Sequence, residues 1–515
     1  LLLNRHMPFK AIIRAAVLVP FIVPTVLSAI AFWWIYDSQF SIISWSLIKL
    51  GVIEQNINFL GDSNWARASV IFANIWRGVP FVAITLLAGL QTVSPSLYEA
   101  ATLDGATAWQ RFRYITYPLL TPIIAVVMTF SVLFTFTDFQ LIWALTRGGP
   151  VNATHLMATL SYQRGILSGR LGEGAAIATA MIPVPARGDR DLVVRHAAPQ
   201  MAAGGATMTE TTATDPRLAV KVAATVAQSD DSEGMSYLES LPRRLVTLYL
   251  PLLIILVVLL FPFYWMALTS IKPDEQLIDM ETYNPFWVVK PTLKHIQKLL
   301  FETQYPRWLW NTMYVAAAST VLSIGASVLA AYAIVRLRFR GADTVGGAIF
   351  WPYLVPPSIL FIPLASVIQA YGLFDSPLSL ILVYPTLLIP FSTRLLMGYF
   401  KTIPFELEEC ALIDGASRWQ ILVKIIIPLA VPGLISAFIF CFTLCWNEFI
   451  YALTFLQSTP NKTVPVAIVN EFVDGDIYKW GSLMAGALVG SLPLVILYAF
   501  FVEHYVSAMT GAVKE

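Results

Sequence analysis

Residues 99–122 read EAATLDGATAWQRFRYITYPLLTP, and residues 409–432 read ECALIDGASRWQILVKIIIPLAVP. A constant offset of 310 places Glu99 on Glu409, Ala101 on Ala411, Asp104 on Asp414, Gly105 on Gly415 and Ala106 on Ala416. It also places Trp109 on Trp419, Gln110 on Gln420, Pro118 on Pro428, Leu119 on Leu429 and Pro122 on Pro432. Ungapped identity on this scale marks an internal repeat, which has to be read before any other pattern. The match extends outward, with Pro80-Phe81 falling on Pro390-Phe391 and Phe139 on Phe449.

The solvent of this repeat follows from composition. Apolar residues make up 57% of the chain and charged residues 13%, with a mean hydropathy of +0.68. Soluble domains carry roughly 25% charged residues, so this apolar surface belongs in a bilayer rather than in a core. A net charge of +1 and the lack of any basic stripe argue against a nucleic-acid partner. The three cysteines, Cys410, Cys441 and Cys445, form no disulfide framework in an extramembrane loop, and Cys441 and Cys445 read as packing residues. The chain starts at Leu1, consistent with an incomplete N-terminus, and no signal peptide is evident.

Apolar runs of spanning length, roughly 20 residues, cover 11–36, 68–93 and 122–146, followed by a partial run at 172–184. Six more follow at 245–268, 309–335, 343–370, 376–399, 431–456 and 482–505. This divides the chain into a first domain (1–184) cut short at both ends, a polar linker (185–240) and a complete second domain (241–515). The linker has the composition of disordered chain. Within it, Met208 resembles an ordinary protein start, so 185–207 reads either as the product of a frame error or as a true fusion. Arg336, Arg338, Arg340, Lys401, Arg418 and Lys424 concentrate on one side and set the repeated loops in the cytoplasm.

The repeated loops are not spans. Glu99, Asp104, Arg111 and Arg113 lie within 94–117, and each charge at a bilayer centre costs about 2.5–3.5 kcal/mol. The pattern is helix, turn, helix: Ser94-Pro95 starts a helix, Asp104-Gly105 breaks it, and Trp109, Phe112 and Ile115 line one face until Pro118 ends it. One such element fits an interfacial amphipathic helix as well as a helix that docks in a partner's groove. Two copies sharing Glu, Asp-Gly, Trp-Gln and Pro-Leu favour docking.

These loops resemble the cytoplasmic coupling motif of binding-protein-dependent ABC importer permeases, in Glu99-Ala100-Ala101…Asp104-Gly105-Ala106 and Glu409-Cys410-Ala411…Asp414-Gly415-Ala416. Cys410 replaces the usual alanine. The spans are similar to the maltose-type pair, here first and second permease in one chain. The resemblance implies an all-α polytopic fold of two importer-type transmembrane domains in a bacterial inner membrane, the first incomplete. It implies coupling through Glu99, Ala101, Asp104, Gly105, Glu409, Ala411, Asp414 and Gly415. It further implies two cytoplasmic ATPase subunits, an extracytoplasmic solute-binding protein, surrounding lipid and room for another permease subunit. The solute it implies is a carbohydrate. No catalytic residue, metal or directly bound cofactor is expected, and ATP is used by the partner. In keeping with that, G-x-x-x-x-G-K-[ST] is absent and Gly-Lys occurs nowhere.

Trp446-Asn447-Glu448, matched by Phe136-Thr137-Asp138, lies inside an apolar run. Asp138, Trp446, Asn447 and Glu448 are therefore candidate solute contacts, since ionisable residues within spans are costly and functional by default. An interfacial aromatic belt including Trp446 and Tyr451 explains them slightly better. His155 and His295 read as solvated loop residues. The competing classes are a secondary transporter, disfavoured because the repeat is parallel and buried acids are few, and a non-functional fusion acting as a membrane scaffold.

Overall fold

The computed structural model describes residues 2–4, 7, 10–181, 244–337, 339–349, 357–474 and 477–511. The linker 185–240 with Met208, and residues 350–356 within span 343–370, lie outside the described residues. Helix dominates, as expected where no water is present to satisfy backbone polar groups. The exception is a two-residue hairpin, Val473–Asp474 against Ile477–Tyr478, between the last two helices.

Among the described residues, six helices are long and apolar enough to cross a membrane: Ser63–Gln91, Ala108–Phe136, Leu245–Ile271, Tyr305–Arg336, Pro377–Thr402 and Trp480–Phe501. Two further stretches are sharply bent pairs. The run read as one span over 11–36 is Ile12–Ile22 followed by Thr25–Ile35, bent by 90°. Pro24 sits at the break and has no N–H to donate, and it disfavours helix for Val23 before it. The second pair, Arg418–Leu429 and Val431–Asn447, bends by 78° at Ala430, between Pro428 and Pro432.

The first repeat differs beyond the shared proline, having no break where the second breaks at Ala430. Pro118, expected to end a helix, lies in the first turn of Tyr117–Phe136, which continues unbroken from Ala108. A wide π-turn immediately precedes the proline in both copies, Phe112–Thr116 before Pro118 and Leu422–Ile426 before Pro428. The extra residue in that turn takes up the clash a proline ring makes with the preceding turn.

The described chain falls into two compact units. In the smaller, comprising 1–17, 83–129 and 184–259, Met7 packs with Leu248 and Leu252. Gly89 there lies so close to Ile123 that an added Cβ would come within 2.5 Å of its side chain. Leu253, Ile254 and Val257 are more than half exposed, which is where lipid chains belong.

In the larger unit, comprising 18–82, 130–183 and 260–515, Tyr305–Arg336 packs along Pro377–Thr402, and both pack on Val431–Asn447. Small polar residues let these helices approach, as is usual in bilayers. Ser319, Ser323 and Ser327 are buried, and Ser327 and Ser392 hydroxyls meet at 2.7 Å. Toward the end bearing the second repeat loop, Ala331, Leu396, Phe400, Ile421 and Ile426 are wholly buried in one cluster. Cys441 and Cys445 are buried packing residues on one helix. His295 is not solvated: it is 4% exposed and its Nε2 lies 2.8 Å from the Lys272 carbonyl.

Candidate functional site

The two repeat loops are built from the same bonds. In the first, helix Pro95–Leu103 ends at Asp104, and Gly105 takes a φ of +75°. In the second, Glu406–Ile413 ends at Asp414, and Gly415 takes +83°. The Ala106 amide donates to the Ala101 carbonyl at 2.9 Å and the Gly105 amide to Thr102 at 3.0 Å. Ala416 to Ala411 and Gly415 to Leu412 repeat this at 2.9 and 3.1 Å. This pair of bonds is the Schellman stop, which needs a left-handed residue after the helix. An added Cβ at either glycine would meet nothing within 4 Å, so backbone conformation rather than space requires glycine here.

A capping box starts the next helix in each copy. Thr107 Oγ1 accepts from the Gln110 amide at 3.3 Å while Gln110 Oε1 accepts from the Thr107 amide at 2.8 Å. Ser417 and Gln420 make the same two bonds. The repeated glutamine is thus a structural residue, and its S/T-x-x-Q spacing was readable in the sequence.

A stop and a box back to back make a rigid corner. Each corner carries two exposed apolar side chains at matching positions: Leu103 (90% exposed) with Trp109 (69%), and Ile413 (85%) with Trp419 (64%). Glu99, Asp104, Glu409 and Asp414 are exposed around them, while Ala101 and Ala411 are half-buried at the Schellman bonds. Leu103 and Ile413 were missed in the sequence because they are not identical, though both are large and apolar.

The anchoring of the two corners differs. Glu408 is fully buried, with Oε1 3.2 Å from Arg336 Nε and Oε2 3.7 Å from Arg418 Nη1. Neither contact is aligned as a hydrogen bond, so the attraction is Coulombic. Burial pushes the Glu408 carboxyl above its ordinary range, and the two guanidiniums pull against that. Arg336, 4% exposed, donates to the Ile403 carbonyl at 2.7 Å and to that of Phe400, and its guanidinium lies 5.7 Å from the Phe405 ring centre. The first corner has Tyr98 in place of Glu408, and its hydroxyl meets Thr116 Oγ1 at 3.0 Å.

The second candidate region lies deeper in the larger unit. Phe139 and Phe449, equivalent in the repeat, pack against each other with ring centres 6.1 Å apart and planes tilted by 37°. Just before them, Asp138 Oδ1 accepts from the Leu141 amide at 3.2 Å, and Glu448 Oε1 from the Tyr451 amide at 2.9 Å. Both acids therefore hold the first turn of a short helix after a break, Gln140–Leu145 or Ile450–Phe455.

Asp138 is also ion-paired to Arg77 at 2.6 Å, and Arg77 reaches Thr25 and Asn74. Glu448 accepts from the Tyr384 hydroxyl at 2.8 Å. Trp446 is fully buried with its indole N–H on the Gly490 carbonyl, and Tyr451 is fully buried too, which removes both from a lipid-facing belt. Of the four candidates, Asn447 has an uncommitted acceptor: its Oδ1 is buried without a partner among the described residues.

Residues 3–186 and 323–511 both match the family described as binding-protein-dependent transport system inner membrane component. The chain belongs to that family. It carries two permease domains in one polypeptide and is a multi-pass inner-membrane protein. It is 36% identical over 269 residues to the inner membrane ABC transporter permease protein YcjP of Escherichia coli, covering 95% of that protein and 52% of this one. It is 33% identical over 273 residues to the trehalose/maltose transport system permease protein MalG of Thermococcus litoralis, covering 96% and 52%. The sulfoquinovosyl glycerol transport system permease protein SmoH of Agrobacterium fabrum is 35% identical over 260 residues, at 90% and 50%. A solved bacterial ABC transporter involved in import of the acidic polysaccharide alginate aligns with 98% of its chain and 52% of this one, at 23% identity and a TM-score of 0.46. Each of these three permeases is covered almost whole yet accounts for about half of this chain, as two domains in one polypeptide require.

Proposed function

We propose that this chain is the membrane permease of an ATP-driven carbohydrate importer, and that both corner loops dock into separate ATPase subunits. The observation that carries the reading is the paired exposure of Leu103 with Trp109 and of Ile413 with Trp419 on corners of identical bonding. Exposed aromatic and aliphatic anchors on a short helix are the pattern of helix-in-groove recognition. The rigid stop keeps each anchor pair in one geometry, so a moving partner can transmit force through it, as domain-closure mechanisms require.

The names of the trehalose/maltose and sulfoquinovosyl glycerol permeases support a sugar-containing solute. An extracytoplasmic solute-binding protein delivers it, and the pathway runs beside the Phe139–Phe449 contact. The chain supplies the path and the levers, and the partner supplies ATP hydrolysis.

The test is co-purification with the ATPase encoded nearby. Wild type should retain the ATPase and stimulate its hydrolysis in the presence of binding protein and sugar. Glu409→Lys, on the exposed corner, should cut uptake severalfold with the spans intact. Failure of the wild-type chain to associate with any ATPase would remove the importer reading.

A further inference from the structure

A cavity of about 710 Å³ opens at the end of the spans that carries the second corner loop. That volume is within the range of small-molecule sites, about 300–1,000 Å³. Its walls are helix Pro377–Thr402, the short helix Ala342–Ala348 and the start of Glu406–Ile413.

Arg394 and Lys401 line it from the long helix. Seven residues apart, they share one face, and Arg394 lies about 12 Å along the helix from its last residue. A charge that far inside a span is costly, and such residues face cavities and find counter-charges. Neither cation makes an ion pair with a described side chain. Arg336 also borders the cavity but is committed to Glu408 and backbone carbonyls.

Two acids face the same space. Asp343 lies in the first turn of the short helix and Glu406 in the first turn of the corner helix, and neither is ion-paired to a described side chain. Room is made by adjacent glycines. Gly346 lets the short helix close on Met397, whose Cε would lie 2.9 Å from an added Cβ, and Gly347 has nothing within 4 Å. The remaining walls include apolar Ile334, Val335 and Phe339.

Two uncommitted cations and two uncommitted acids, at a membrane boundary and beside apolar walls, match a zwitterionic head with a phosphate and a primary ammonium. We propose that this cavity binds an aminophospholipid headgroup of the phosphoethanolamine class. The phosphate meets Arg394 and Lys401, the ammonium meets Asp343 and Glu406, and the chains run along the apolar wall. Basic pockets between helices are known sites of lipid recognition, and the acids make this one selective against purely anionic heads. The inference does not depend on the importer reading.

The experiment is native mass spectrometry of the delipidated full chain in detergent, titrated with phosphatidylethanolamine, phosphatidylglycerol, phosphatidylcholine or inorganic phosphate. Phosphatidylethanolamine should be retained severalfold better than the other two lipids, and millimolar phosphate should not displace it. Arg394→Ala with Lys401→Ala should cut retention at least tenfold, while Arg340→Ala, a basic change outside the cavity, should leave it unchanged. If the alanine pair does not fold, Arg394→Lys with Lys401→Arg should keep binding. Asp343→Asn with Glu406→Gln should turn preference toward phosphatidylglycerol. Equal binding of phosphatidylethanolamine and phosphatidylglycerol to wild type, unchanged retention in a folded alanine pair, or full displacement by phosphate would each overturn the proposal.

Discussion

Removing the Glu408 carboxylate tests the anchoring of the second corner. Glu408 and Arg336 side chains are 0% and 4% exposed, so Glu408→Ala leaves a guanidinium buried beside no acid. Breaking one partner of a buried pair costs about 3–5 kcal/mol. Arg336 keeps its bonds to the Phe400 and Ile403 carbonyls, and Arg418 is half-exposed and can turn to water, which favours the low end. The first corner offers an internal control. Tyr98→Phe removes one partly buried hydroxyl contact, worth about 0.5–1.5 kcal/mol. Amide hydrogen exchange reads both locally, at Ala416 and Ile421 in one loop and at Ala106 and Arg111 in the other, whose amides close the corner bonds. Glu408→Ala should speed exchange in its loop by roughly two orders of magnitude, since each 1.4 kcal/mol is about tenfold. Tyr98→Phe should speed its loop by about tenfold or less. Glu408→Met with Arg336→Met should recover most of the loss, because a hydrophobic replacement of a whole buried pair is about neutral. A single Glu408→Ala change that leaves exchange within threefold of wild type would refute the reasoning.

Four further outcomes follow from the same geometry. Trp109→Ala and Trp419→Ala together should weaken ATPase association at least tenfold with unchanged thermal unfolding, because both rings are mostly exposed. Gly415→Ala should cost the second loop about 1–2 kcal/mol, the strain of a left-handed alanine, seen as faster exchange at Ala416. Because burial raises the Glu408 carboxyl above its ordinary 4.5, the folded loop binds a proton that the unfolded loop has already lost. Wild type should therefore lose loop stability relative to Glu408→Gln as pH rises from that ordinary value through the raised one, with no further change above it; a flat difference across that window would show the two guanidiniums offsetting burial in full and reject the raised carboxyl. Asn447→Ala should lower solute uptake severalfold without lowering thermal stability, since its Oδ1 has no partner among the described residues.

The repeat, the corner and its glycine were legible because they are local chemistry: a stop, a left-handed residue and a cap, all within a dozen positions. Other features required tertiary contact. Glu408 carries no repeat identity, its counterpart being Tyr98, and Arg336 reads as one of several orientation charges. Their pairing joins residues on separate helices and leaves no periodic trace. Asp138 and Glu448 drew attention as acids inside apolar runs, but their bonds depend on helix breaks at 137–139 and 448–449 that hydropathy reads straight through. Pro118 was misjudged because a π-turn was not anticipated. The same proline in the same motif gives a continuous helix in one copy, while its counterpart Pro428 lies by a 78° bend in the other.

Duplication has preserved the surface of the corners more strictly than their supports. Positions 101–110 and 411–420 have the same sequence of half-buried and exposed residues, and the stops and boxes match bond for bond. Behind that surface, one copy rests on a tyrosine–threonine contact and an unbroken 29-residue helix, the other on a buried acid between two arginines and a bent helix. Near the Phe139–Phe449 contact the copies diverge in the same way. The Thr137 hydroxyl is committed to the Leu133 carbonyl, whereas the matching Asn447 oxygen is not. Selection for a fold alone would hold supports and surface equally. A surface kept constant over changed supports is what two docking partners of one kind would impose.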